Sequence, residues 1–134
     1  MPTVFTRIIE GELPGHFVYE DEHCVGFLTI EPLREGHVLM VPREEVDHWL
    51  DLSPQLLTNL MAASQRVGRA IHEEFGSQKV GMMIVGLEVD HVHIHLSPID
   101  SIREMDFSRT APADQDRLAN VAARLQAALA RQAS

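Results

Sequence analysis

The chain has a single cysteine, Cys24, among its 134 residues. One thiol cannot close an internal disulfide, and no Cys-x-x-Cys pair exists to hold zinc or run redox chemistry. Cys24 is expected to be an inert buried thiol. Positive charge is scarce as well: 11 Lys and Arg against 20 Asp and Glu give a formal charge of −9. Nonspecific nucleic-acid affinity comes from Lys and Arg displacing counterions, so no nucleic-acid partner is expected and any phosphate must be met by a local site. No apolar run approaches the roughly 18 residues needed to cross a bilayer. Met1-Pro2-Thr3 also lacks the basic-then-apolar start of a secretory signal. The expectation is a cytoplasmic protein with no membrane partner. Repeats, low-complexity tracts and Gly/Ser linkers are missing too, which leaves function to particular residues.

What is present suits one domain over residues 1–134, since 45% hydrophobic residues supply one ordinary core. Phe17–Glu20 and residues 24–30 read as a hairpin joined at Asp21-Glu22-His23. Gly36 allows an unusual turn, and residues 37–41 form a third strand stopped by Pro42. Ser53-Pro54 is a helix start with a capping hydroxyl and a proline where no amide is missed. Leu56, Leu57, Leu60, Met61, Val67, Ile71 and Phe75 recur at helical spacing up to Gly76, which can close the helix. Residues 79–85 and 89–96 are strand-like, and residues 114–132 carry a second amphipathic helix through Leu118, Val121, Leu125 and Leu129. Five strands and two main helices make an α+β domain.

The chemistry is carried by His91-Val92-His93-Ile94-His95. Side chains alternate along a strand, so the three histidines share one face while Val92, Ile94 and Leu96 share the other. Each imidazole brings polar nitrogens whose burial is unfavourable without a hydrogen bond, so three in phase are poorly explained as core. Two readings stand at this point. Histidines two apart can converge on zinc, or a neutral imidazole can attack phosphorus or carry a proton.

His91-Val92-His93-Ile94-His95-Leu96 resembles the His-φ-His-φ-His-φ-φ signature of the histidine-triad (HIT) family, φ being hydrophobic, with Ser97 as its one departure. Upstream, residues 4–14, Val18-Tyr19-Glu20-Asp21-Glu22, residues 26–32 and residues 36–42 are similar to the family's N-terminal segment and first strands in the same order. The similarity covers most of residues 4–98, with residues 110–132 as a C-terminal helical extension, and lies nearest the Hint-like branch. It implies a five-stranded antiparallel sheet with one long central helix and a C-terminal helix, assembled as a homodimer that binds a purine nucleotide. It further implies a nucleotidyl hydrolase or transferase that needs no cofactor and forms a covalent nucleotidyl-histidine. A nucleotide-binding regulatory module with little turnover is the alternative.

Carried over by motif, His93 is the nucleophile and His95 contacts the phosphate and assists the leaving group. His91, paired with His37, orients the nucleophile. Phe5, Ile8, Phe27, Ile30 and Leu39 match base and ribose positions, and the amides of Glu88 and Val89 face the phosphate. Thr29 stands where the phosphoramidate-cleaving branch has an aspartate for the ribose hydroxyls. Val80 and Gly86-Leu87-Glu88 replace an asparagine and a Gly-Gln-Ser or Gly-Gln-Thr element. Some bacterial relatives bind structural zinc through N-terminal cysteines; Thr3 and Thr6 stand at those positions, so no metal is expected. His16, His23, His48 and His72 read as solvated surface residues, and Trp49 as core or dimer packing.

Overall fold

The computed structural model describes residues 2–133. Thr3 opens the first element: its hydroxyl accepts from the Thr6 amide and caps a short helix α1, Val4–Ile9. The sequence reading has no helix here, because six residues are too few for a periodicity to show.

β1, Phe17–Glu20, and β2, Cys24–Leu28, form the expected hairpin. One carboxylate oxygen of Asp21 holds its turn, accepting from the amides of His23 and Cys24. β2 stops short of Ile30, and beyond it the Thr29 hydroxyl accepts from the Glu31 amide in a local turn. Gly36, at φ 99°, turns the chain into β3, Val38–Pro42; a side chain there would meet the Phe75 ring at 2.8 Å. Pro42 sits at the strand's end opposite Cys24, where a missing amide does little harm.

The long helix α2, Pro54–Phe75, begins as read, with the Ser53 hydroxyl accepting from the Leu56 amide, and ends at left-handed Gly76. β4, Lys79–Met83, ends two residues before the expected 85, and β5 spans Ile94–Ile99 rather than 89–96. The last helix, α3, covers Gln115–Ala133, within a residue of the expected bounds. Three short 3-10 turns, Trp49–Asp51, Ile102–Met105 and Phe107–Arg109, complete the chain and were not anticipated.

The sheet order is β1-β2-β3-β5-β4, every neighbouring pair antiparallel. Alternation along the strands separates its faces. Cys24, Leu28, Val38, Met40, Ile94 and Leu96 point to α2 and α3, meeting Leu60, Val67, Ile71, Leu125 and Ala128 in one buried cluster. Val25, Phe27, Leu39 and Val41 point the other way, to Phe5 of α1. Each fully buried aliphatic side chain contributes about 1.5–3 kcal/mol, so the first face supplies most of the core's stabilisation. α3 thus packs within its own chain, as expected, and Cys24 is fully buried with its thiol pushed up to about 12 by burial and by Asp21. Among the described residues no helix is long and apolar enough to cross a membrane.

The late start of β5 corrects the reading of the triad as a strand. β3 offers partners only to Ile94, His95 and Leu96. Upstream the backbone bonds elsewhere, the Val92 amide donating to the Val46 carbonyl at 2.7 Å. His91 and His93 therefore lie in the irregular approach to the strand, yet the alternation persists: Val92 joins the α2 face with Ile94 and Leu96.

Candidate active site

His93 is the natural starting point among the four candidate histidines, the triad and His37. Its Nδ1 lies 2.7 Å from the His91 carbonyl oxygen. A carbonyl only accepts, so Nδ1 carries the ring proton and Nε2 is left as a free lone pair. His91, with no exposed surface, is 2.8 Å from the Pro42 carbonyl through Nε2 and 2.8 Å from the Thr3 hydroxyl through Nδ1. The Leu33 amide donates to His37 Nδ1 at 3.0 Å, so His37 Nε2 holds a proton and donates it to His95 Nδ1, also at 3.0 Å. His95 is thereby left with its proton on Nε2. The backbone thus sets a lone pair on His93 next to a donor on His95, the two rings 4.8 Å apart and edge-on.

Burial holds all four imidazoles neutral at neutral pH. His37 is pushed down to about 4 by desolvation and by His93, and His95 to about 3 by desolvation, His37 and His93. His91 and His93 are lowered as well, chiefly by burial; the bond to the His91 carbonyl and the Glu88 carboxylate act in the opposite sense on His93.

Beside the triad is a cavity of about 400 Å³. Phe5, Ile8, Phe27, Thr29, Ile30 and Leu39, the six residues expected at the base and ribose, all line it. Phe5 joins cavity to triad, its ring edge-on to Phe27 at 5.6 Å and to His93 at 4.8 Å. No Lys or Arg lines this space, which is mostly apolar with few polar groups, as small-molecule sites commonly are. Glu88 is exposed, and Val89 packs against the Phe5–Phe27 cluster.

Several expectations are corrected. His37 pairs with His95, not His91: β3 runs antiparallel to β5, which places residue 37 beyond the Val38–Leu96 pair and far from the start of the triad. Val80 is opposite Pro98 and packs on the α2 face, so it cannot contact a ligand at the triad; Met83 is the residue opposite His95. His16 is not merely solvated, since it lines the cavity and bonds Gln115 at 2.8 Å. Trp49 is 41% exposed and is not part of the core.

Other site residues escaped the sequence reading. Phe107 lies against His95 with ring centroids 4.6 Å apart, and Gln115 closes the cavity from the start of α3. Neither has a local signal, because both arrive from the far end of the chain. Thr3 and Thr6, read only as absent cysteines, form hydrogen bonds with His91 and Glu45. Among the described residues no group of three or more His, Cys, Asp or Glu side chains is placed to hold a metal ion.

Comparison with known proteins agrees with this geometry. The HIT domain profile matches residues 10–102. The "Protein hit" of Bacillus subtilis is 31% identical over 102 residues, covering 71% of this chain and 69% of that protein. The adenosine 5'-monophosphoramidase HNT1 of Saccharomyces cerevisiae is 32% identical over 96 residues, 71% of this chain and 61% of its own length. A crystal structure of a zinc-bound histidine triad family protein from Mycobacterium smegmatis superposes with a TM-score of 0.83 at 29% identity, over 97% of this chain and 94% of that one.

Proposed function

Because the chain belongs to the histidine-triad (HIT) family, we propose that it is a nucleotidyl hydrolase or transferase cleaving a purine nucleoside phosphoramidate or a related nucleotide at the α-phosphorus. The observation that carries this reading is the fixed tautomer of His93: with Nδ1–H held by the His91 carbonyl, the Nε2 lone pair is free beside the cavity. The nucleoside occupies the space among Phe5, Ile8, Phe27, Ile30 and Leu39, with Thr29 at the ribose. His93 Nε2 forms a bond to phosphorus as the bond to the leaving nitrogen breaks. The leaving nitrogen departs as an amine, taking the proton presented on His95 Nε2. Water then attacks phosphorus, its hydroxyl completing the nucleoside monophosphate and its proton returning to His95, so His93 is regenerated. His91 orients the nucleophile through its carbonyl, and His37 keeps His95 in its donor tautomer. The activity named for the yeast relative supports the phosphoramidate class.

The test is intact-protein mass spectrometry after brief incubation with adenosine phosphoramidate, beside an assay of AMP release. A nucleotidyl adduct that disappears in His93→Ala is expected. AMP binding without adduct or turnover would instead favour a binding module. One observation favours that second reading: the Thr29 oxygen already accepts from the Glu31 amide, leaving one O–H and one lone pair for the ribose, where a carboxylate would accept from two hydroxyls at once.

We further infer a homodimer through the β4 edge. β4 is the last strand of the sheet, and exposed Met82 and Met61 flank a groove between it and α2. Light scattering should give twice the 15.0 kDa chain mass, and Met82→Glu should give a monomer.

A further inference from the structure

α1 is fastened to the triad by a cluster that the reaction above does not use. One carboxylate oxygen of Glu45 accepts from the Thr3 amide at 2.8 Å and from the Thr6 hydroxyl at 2.7 Å. The Thr3 hydroxyl accepts from the Thr6 amide at 3.2 Å and has two acceptors in reach for its own proton, Thr6 Oγ1 at 3.4 Å and His91 Nδ1 at 2.8 Å. His91 decides between them. Its Nε2–H is held by the Pro42 carbonyl, so its buried Nδ1 is a lone pair that requires a donor. The Thr6 hydroxyl is 3.5 Å from that nitrogen, but its proton goes to Glu45. Thr3 is the donor that remains. The carbonyl of the residue so fixed then receives Nδ1–H of His93 at 2.7 Å.

We propose that Thr3 and Glu45 are positioning residues for His93: Glu45 seats Thr3, Thr3 fixes the His91 ring, and His91 holds His93 in the tautomer that exposes Nε2. The proposal deepens the reading of His93 as nucleophile and rests on it for its catalytic half. Its structural half is independent of turnover. Neither Thr3 nor Glu45 lines the cavity, so neither residue is catalytic.

The experiment compares wild type with Thr3→Val, Thr3→Ser and Glu45→Ala by three readouts: ring 15N shifts of His91 and His93, rate of adduct formation, and affinity for AMP. In wild type His91 should carry its proton on Nε2 and His93 on Nδ1. Thr3→Val should mix the His93 tautomers and slow adduct formation about threefold to tenfold, the equivalent of one lost hydrogen bond. AMP affinity should hold within about twofold. Thr3→Ser, which keeps the hydroxyl, should restore both tautomers and rate. Glu45→Ala, a surface change that serves if Thr3→Val does not fold, should mix the tautomers to a smaller degree. If Thr3→Val or Glu45→Ala weakens AMP binding while the His93 tautomer stays fixed, these residues only hold α1 against the cavity and the proposal is overturned. If wild type forms no adduct, the nucleotidyl-transfer reading fails, and the tautomer comparison still decides whether Thr3 sets the His93 ring.

Discussion

The two faces of one sheet differ in what they bury. Toward α2 and α3 the strands present an aliphatic surface, Leu28, Val38, Met40, Ile94 and Leu96, buried against Leu60, Val67, Ile71 and Leu125. Toward α1 the same strands present Val25, Phe27, Leu39 and Val41 against a six-residue helix, with about 400 Å³ left open and imidazoles in place of aliphatic side chains. Close packing makes the first face rigid and intolerant of volume change. The second is held by directional bonds to backbone groups, which fix orientation without filling space. The comparison teaches a division between neighbours in sequence: residue 94 fills the core, and residue 93 turns its ring to Phe5 on the cavity side.

The sharpest way to break that division is to change adjacent residues. His93→Ala should lower adduct formation and turnover roughly a thousandfold or more, the behaviour of a lost nucleophile. Its unfolding midpoint in urea should shift less than that of Ile94→Ala, which removes a fully buried side chain and should be destabilising by about 2–5 kcal/mol. Equal loss of stability in the two variants would mean that the faces are not divided.

Acid should attack the histidine face next. His37 and His95 titrate near 4 and 3 when folded and near 6.5 when unfolded. Between those limits the unfolded chain binds protons that the folded chain does not, so stability rises with pH and is lost as pH falls from about 6.5 toward 4 for His37 and toward 3 for His95. Each unit of depression corresponds to about 1.4 kcal/mol. Urea titrations at pH 7, 5.5 and 4.5 should show the decline, with a smaller slope when His37 is replaced by glutamine. A stability independent of pH across this window would show that the imidazoles are not held neutral.

On the open face, Phe27→Leu should weaken AMP binding by about 1 kcal/mol through lost apolar contact, measured by calorimetry. The smallest effect is expected at exposed Glu88. Its removal by Glu88→Gln should strengthen binding of an anionic nucleotide by roughly 0.5 kcal/mol at low salt, and the gain should shrink as salt is added.

The helix-facing half of the molecule was legible because its signals are local. Ser53, Gly76 and the recurrence of Leu60, Val67 and Ile71 mark α2 without reference to any other segment. The triad and the six cavity residues were legible through resemblance, and the alternation of Val92, Ile94 and Leu96 placed the histidines on the opposite face. Pairings were not. That His37 meets His95 depends on how β3 registers against β5, and that Val80 faces α2 depends on its place opposite Pro98. α1 lay below the length at which period is visible, and its cap Thr3 acquires meaning only beside His91 and Glu45, which lie 88 and 42 residues away. Phe107 and Gln115 reach the site from the C-terminal quarter, where nothing in the neighbouring sequence marks them.

The proton positions on the four histidines are written mainly in the main chain. Pro42 and His91 contribute carbonyls and Leu33 an amide, atoms that amino-acid replacement leaves in place. Side chains around the cavity can therefore drift, and the substrate with them, while these main-chain anchors are inherited unchanged. At one position alone can a substitution erase such an anchor: proline at residue 33 has no amide to offer His37. A lineage under selection for new substrates should vary freely at Thr29 or Ile30 and tolerate almost anything but proline at 33.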